Sequence, residues 1–238
     1  MNKFFALAAL VVAAGSVNAA VITQWNFNSN PADTSTATGS LLPSLGAGSI
    51  STIGGVTSNF ASGAGSSDPA TVDDSGYNST NYQANPTTGP VVSVENRGVR
   101  VDVSTLTFQD IVLNFDWRTS NTGSDLLRVD YTTDAGATWV LGTTIFDSAG
   151  GDTWNNNLTV DLTGVAAANN NAGFGVRFVA VVDAGTGRYR AANVGSNHAA
   201  TGTWRFDLVT VNGTIIPGPG AIALAGIAGL VATRRRRA

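Results

Sequence analysis

The 238-residue chain carries 13 Lys+Arg against 16 Asp+Glu and has no cysteine, which excludes a disulfide framework and thiolate metal sites. Its 28 glycines and its low share of charged residues, 12%, fit a loop-rich all-β protein better than a helical one. Lys3 and Arg234 to Arg237 lie at the two ends, so the body between them holds eight arginines and all sixteen acids, a net charge of −8. A body of that sign lacks the cationic footprint that displaces counterions from phosphates, and nucleic acid is excluded as a partner.

The chain opens with MNKFFALAALVVAAGSVNA, residues 1–19. Lys3, the apolar run from Phe4 to Ala14, and small Val17 and Ala19 at the −3 and −1 positions of a signal-peptidase site make up the three-part secretory leader. The body that follows, residues 20–213, is about 195 residues long and is expected to form one domain. VITQWNF (21–27) alternates apolar and polar residues and predicts a first strand. Residues 28–90 are dominated by Ser, Thr, Gly, Asn and Ala, with recurring anchors at Ile53, Phe60, Tyr77 and Tyr82. They are read as long ordered loops with short strands.

Strand patterns then follow at 98–105, 111–120, 126–134, 137–146, 157–163, 174–183 and 203–213, separated by Gly, Asn and Asp turns. No segment of helical period lies between them to supply the crossovers of a parallel sheet. The fold class expected is all-β: an antiparallel, jelly-roll-like β-sandwich. The absence of a fixed internal repeat argues against a propeller or solenoid. The last strand is expected to return beside the first. Trp25, Trp117 and Trp204 sit in strand contexts as core residues.

Beyond Gly213 the composition changes. Residues 214–238 contain Pro217-Gly218-Pro219, an apolar stretch, and the cluster Arg234, Arg235, Arg236 and Arg237. Ile215 to Thr233 is 19 residues, just long enough to cross a bilayer core as a helix. The arginines would halt transfer and stay cytoplasmic. The prolines would leave an extended, accessible backbone at the outer end. In this order, after a leader, the tail resembles the PEP-CTERM family of sorting signals. Pro217 and Pro219 fall on that family's motif prolines and Arg234 to Arg237 on its basic end, while Gly218 stands where the family has glutamate. The resemblance implies an exosortase-type membrane transpeptidase as partner, a temporary inner-membrane anchor, and delivery to the cell surface or beyond it.

Within the body, TTDAGATW resembles an Asp-box, the structural hairpin best known from sialidases. Thr132, Asp134, Gly136, Thr138 and Trp139 occupy its positions. In that turn Asp134 can bond backbone amides, Gly136 can take positive φ and Trp139 can pack beneath. FDWRTSNTGSDLLRVDYTTD resembles a segment of exported sandwich domains that carry such tails, and the resemblance extends loosely over 60–213. It implies a jelly-roll-like body without a known activity.

Catalytic chemistry finds little support. His198 is the sole histidine, with Ser196 nearby but no nucleophile-elbow motif. One histidine and no cysteine leave too few of the usual ligands for zinc. Asp73-Asp74 read as loop residues, and no spacing singles out a glycosidase pair. Arg118 is expected to pair with Asp116 or with an acid on a neighbouring strand. Calcium suits the oxygen-rich loops, with Asn26 on the first strand and Asp207 on the last as candidate ligands if those strands are adjacent. Trp139 and Trp154, with Tyr189, are the candidate sugar-stacking aromatics. The leading reading is a non-enzymatic, exported surface or matrix protein. A carbohydrate-binding module, with polysaccharide as partner, is the alternative, and a secreted polysaccharide hydrolase the third.

Overall fold

The structure, a computed structural model, describes residues 19–91 and 96–218. The leader up to Asn18 and the tail from Pro219 onward, with Arg234 to Arg237, lie outside the described residues. Among the described residues there are twelve strands: β1 (Ala19–Trp25), β2 (Leu45–Gly46), β3 (Ser49–Ile53), β4 (Thr57–Ser62), β5 (Ser75–Thr80), β6 (Gly98–Asp102), β7 (Phe108–Thr119), β8 (Leu126–Thr132), β9 (Ile145–Asp147), β10 (Thr153–Asp161), β11 (Gly175–Ala180) and β12 (Trp204–Ile215). The helical content of the described residues is a single 3-10 turn at Ala166–Ala168, and among them no helix is long and apolar enough to cross a membrane. Residues 28–90 hold four short strands between long loops, and the anchors sit on or beside three of them: Ile53 on β3 and Phe60 on β4 are half-buried, while Tyr77 on β5 and Tyr82 just beyond it are buried.

Two antiparallel sheets face one another. One runs β10-β7-β12-β1-β2, with β5 also on β12 and β4 on β5; the other runs β3-β6-β11-β8-β9. The first and last long strands are neighbours, from Ala19 opposite Thr214 to Trp25 opposite Val209. β12 is the hub of its sheet. One edge of it pairs with β7 throughout; the other is shared by β5, at Trp204–Phe206, and β1, at Val209–Thr214. Asp207 and Leu208 fall in the gap between those two partners.

Aromatic rings join the layers. Phe115 on β7 meets Phe178 on β11 with ring centres 4.8 Å apart, and Phe178 meets Phe206 on β12 at 4.8 Å. Trp117 and Trp204 stand edge to face at 5.4 Å, and Tyr82 lies 4.7 Å from Trp204. All of these side chains are buried. Rings of this size dominate the burial in a core and favour such tilted arrangements. Gly98 on β6 permits the close approach of β11, because a Cβ there would lie 1.7 Å from the Phe178 carbonyl oxygen.

Where strands differ from the sequence pattern, a polar group has taken the ladder's hydrogen bonds. The alternation at 137–146 yields an isolated bridge from Val140 to Tyr131 and, at its end, the start of short β9; between them the Gly142 amide donates to the Asp130 carboxylate at 3.1 Å. β6 stops at Asp102, after which Val103 and Thr105 turn their amides to Phe174 and Asn171. β10 begins at Thr153, earlier than its polar Asn155-Asn156-Asn157 run suggested, and absorbs that run in a bulge.

The core makes a direct prediction. Phe178→Ala removes the ring between Phe115 and Phe206 and should cost about 3–5 kcal/mol. It would appear as a lower urea midpoint at unchanged slope; a loss below about 1 kcal/mol would contradict the packing described.

Candidate functional site

β7 and β12 alternate as strands must. Phe115, Trp117, Trp204 and Phe206 point into the core, so Asp116, Arg118, Arg205 and Asp207 project from the outer face. Across the ladder Asp116 stands opposite Asp207, and Arg118 opposite Arg205. An outer face normally meets water, yet Asp116 and Asp207 are buried. The covering element is the connection between β4 and β5, residues 63–74, laid over the sheet like a strap.

The Ser66 hydroxyl donates to Asp207 Oδ2 at 2.8 Å, and the Ser67 amide to Asp116 Oδ2 at 2.5 Å. Arg205 Nη1 donates to the Ser62 carbonyl at 2.5 Å. From β10, Trp154 Nε1–H donates to the Ala64 carbonyl at 3.0 Å and Asn156 Nδ2 to the Gly65 carbonyl at 3.0 Å. The other Asp116 oxygen receives the Asn157 amide at 2.6 Å, in the bulge of β10. Asp116 is thus satisfied by two main-chain amides.

Asp207 is different. It is 0% exposed and has two acids for neighbours: carboxylate oxygens of Asp68, Asp74 and Asp207 lie within 4.8 Å of one another. Its Oδ1 receives the Leu208 amide at 2.8 Å. Burial pushes the Asp207 carboxyl up to about 8; the bonds from Ser66 and Leu208 oppose this, and the charges of Asp68 and Asp74 add to it. Asp74 is also raised, by burial first and then by Asp68. Asp68 receives Asn28 Nδ2 at 2.9 Å and the Ala70 amide at 3.0 Å. Asp74 Oδ1 is shut off from solvent and has no hydrogen-bond partner. Gly63 leaves room for the two acids, since a Cβ there would come within 2.1 Å of Asp74 Oδ1 and 2.7 Å of Asp207 Oδ2 and displace their side chains.

Asp207 was legible in the sequence as a candidate ligand, but its expected companion was not. Asn28, in the loop after β1, rather than Asn26 reaches the acids; between them Phe27 adopts a left-handed backbone (φ 56°). Asp68 and Asp74 were missed. Their only signal was the acid-bearing stretch SSDPATVDDSG, and nothing local says that it folds over β12. Asp73 is buried beside them and accepts the amides of Ser29 and Asp33 at 3.1 Å each, tying down the loop after β1.

The remaining candidates are dispersed. Trp154 is half-buried against Gly65 with its N–H engaged, so it clamps the strap. Tyr189 is 4% exposed, with its ring 5.2 Å from that of His198; it offers no free face to a sugar, and the expectation of a contact there is corrected. His198 Nε2–H donates to the Gln83 carbonyl at 2.9 Å, and burial lowers its pKa. Ser196 Oγ accepts from Asn193 at 3.2 Å, so serine and histidine are engaged with other groups. Arg118 pairs with Asp152 on the neighbouring strand side, at 2.7 Å, rather than with Asp116. Pro217 and Gly218 are exposed beyond β12.

A second feature is a cavity of about 510 Å³ lined by Asp125, Asp147, Ser148, Arg190, Asn193 and Ser196 among others, with no aromatic ring in its wall. Arg190 donates to Asp125 at 2.5 Å and to Asp147 at 2.7 Å, and those bonds, Asp147 first, raise its pKa further.

The turn after β8 forms as its residue pattern requires. Thr132 Oγ1 donates to Asp134 Oδ1 at 2.7 Å and accepts the Gly136 amide at 2.9 Å. Asp134 accepts the Thr138 amide at 2.9 Å and the Thr138 hydroxyl at 2.5 Å. Gly136 takes φ 90°, and so does its neighbour Ala135 at φ 58° enter the left-handed region. Trp139 packs across the outer face of the second sheet, 4.6 Å from the Arg177 guanidinium and 5.4 Å from that of Arg100.

No family model matches the chain, and no relative is found among curated proteins. Among solved structures it is similar to a carbohydrate-binding module of the β-sandwich superfamily, at TM-score 0.39 and 10% identity, covering 68% of this chain and 56% of that one. It is also similar to the K2 cleaved adhesin domain of Lys-gingipain, at TM-score 0.34 and 10% identity, covering 79% and 97%. A third is the binding domain of botulinum neurotoxin serotype G, at TM-score 0.35 and 10% identity, covering 88% and 51%. The chain spans just over half the length of the first of these.

The turn yields a pH prediction. Bonds from Thr138, side chain then backbone, hold the Asp134 carboxyl at about 2, below its ordinary 3.8. A carboxyl depressed on folding supports the structure above its unfolded pKa, and that support is lost as pH falls through the folded value. Protection of the Thr138 amide from hydrogen exchange, measured against its intrinsic rate at each pH, should therefore fall between about pH 4 and pH 2. Asp134→Asn should remove that pH dependence. An Asp134 carboxyl titrating at its ordinary value by NMR would count against the turn's role.

Proposed function

We propose that this chain is an exported, non-enzymatic surface module: a jelly-roll-like sandwich released from its leader, held briefly in the inner membrane by the tail beyond β12, and passed by an exosortase-type enzyme to the cell surface or an extracellular polysaccharide layer. The observation that carries the reading is the order of features in the tail, Pro217-Gly218-Pro219, apolar stretch, then four arginines, in a chain that begins with a secretory leader. The fold is compatible with it. β1 and β12 pair from Ala19 and Thr214, so the body starts and finishes at one end of the sheet and can hang from a single tether. All but one of the passages between successive long strands cross from sheet to sheet, the kind of connectivity on which jelly-roll-like modules are built.

The alternative, binding of carbohydrate, is favoured by the cavity around Arg190. Its wall of carboxylate, guanidinium, amide and hydroxyl groups is the donor and acceptor set that sugar hydroxyls pair with. Trp154 and Tyr189 are not part of it.

Two measurements decide between these readings. In cells of the source organism, fractionation with mass analysis should find the mature chain outside the cytoplasm without leader or arginine tail. Replacing Pro217 and Pro219 by alanine should leave the tail uncut and the chain in the membrane. Intact protein in the cytoplasm would sink the export reading. On a glycan array, carbohydrate binding would show as a signal that Asn193→Ala weakens by about tenfold; an array without signal removes that alternative.

A further inference from the structure

Asp68 and Asp74, both on the strap, and Asp207, on β12, converge in the notch on β12 between the departure of β1 and the arrival of β5. We propose that these three carboxylates bind one calcium ion, with the Ser66 hydroxyl beside them. The inference is independent of where the protein is delivered.

Four observations carry it. The first is spacing. Calcium takes oxygen ligands at about 2.3–2.6 Å, which places ligand oxygens on opposite sides of the ion about 5 Å apart. The three carboxylates meet that limit, at 4.8 Å. The second is an orphaned acceptor. Asp74 is 9% exposed, and its Oδ1 is sealed from solvent without any hydrogen-bond donor. That atom is aimed into the cluster: it and Asp207 Oδ2 lie 2.1 Å and 2.7 Å from the same point beside Gly63. A buried acceptor left without a donor is costly, and a cation is the partner that the geometry leaves it.

The third observation is the absence of a protein cation. Among the described residues no arginine pairs with Asp68, Asp74 or Asp207. Arg205, two residues from Asp207, directs Nη1 to the Ser62 carbonyl. The buried Asp130 on the other sheet shows the contrast, flanked by Arg128 at 2.7 Å and Arg177 at 2.9 Å. The fourth is chemistry. The donors are all hard oxygens, which suits calcium; magnesium prefers to keep several of its waters, and the soft metals prefer sulfur and nitrogen. Backbone and side-chain donors to Asp68 and Asp207 hold those carboxylates in place, as groups surrounding a metal site do.

The full chain, purified in detergent and stripped with EDTA, tests this by calorimetric titration with calcium chloride and by thermal unfolding. The expected result is one ion bound per chain and a melting temperature that climbs by at least about 5 °C as calcium is raised. Asp74→Asn should weaken calcium binding at least about tenfold, while Asp152→Asn, an exposed acid outside the notch, should leave it unchanged. Asp207→Asn should behave as Asp74→Asn does. Should it fail to fold, Asp68→Asn, at the half-exposed rim, reads the same loss. The proposal is overturned by an absence of binding heat and of any melting shift up to about 10 mM calcium, or by Asp74→Asn and Asp68→Asn binding as the unaltered chain does. An equal response to magnesium would overturn the choice of ion.

Discussion

Successive side chains of a strand point to opposite faces, and in β7 and β12 this one constraint arranges most of the molecule. The inward set, Phe115, Trp117, Trp204 and Phe206, makes the aromatic core that joins the two sheets. The outward set then has to be Asp116, Arg118, Arg205 and Asp207, and antiparallel register sets acid beside acid and arginine beside arginine. Core and acidic notch are two faces of the same ladder, so neither could shift by one residue without displacing the other.

Burying a carboxylate is costly unless something answers its charge or its hydrogen-bonding capacity. The protein meets this demand in different ways on its two outer faces. On the second sheet, Asp130 is held between Arg128 and Arg177, with Trp139 lying over Arg177 and Arg100. On the first, Asp116 takes two main-chain amides from the strap and from the bulge in β10. Asp68, Asp74 and Asp207 are the group for which polypeptide donors do not suffice, and Asp74 Oδ1 is the atom left over. Without cysteines, no covalent bond ties the long connections to the sheets. Polar closure of the strap supplies that attachment, through Ser66, Ser67, Trp154, Asn156 and Arg205.

The irregular strand ends follow the same rule. At three interruptions of the ladder a carboxylate has taken the amide: Gly142 gives its N–H to Asp130, Asn157 to Asp116, and Leu208 to Asp207. Side-chain acceptors compete with the partner strand for backbone donors, and here they decide where pairing stops. The interruptions place Asp130, Asp116 and Asp207 in contact with the loops that cover them.

The sequence by itself determined the class of the fold and its punctuation. Period-2 patterning at 111–117 and 203–209 identified strands and their inward faces, and Trp25, Trp117 and Trp204 were legible as core for that reason. The residues of the Asp134 turn specified their own geometry, because each of its bonds joins atoms a few positions apart in the chain. The tertiary structure alone decided which acids meet. Asp68, Asp74 and Asp207 are separated by up to 139 positions, and their encounter depends on β5 and β1 sharing one edge of β12 and on a polar strap folding back across it. It likewise turned Trp154 from a sugar contact into a clamp and put Tyr189 inside. A pattern of local alternation records which way a residue faces; what comes to lie over that face is set by long-range pairing, which no local pattern contains.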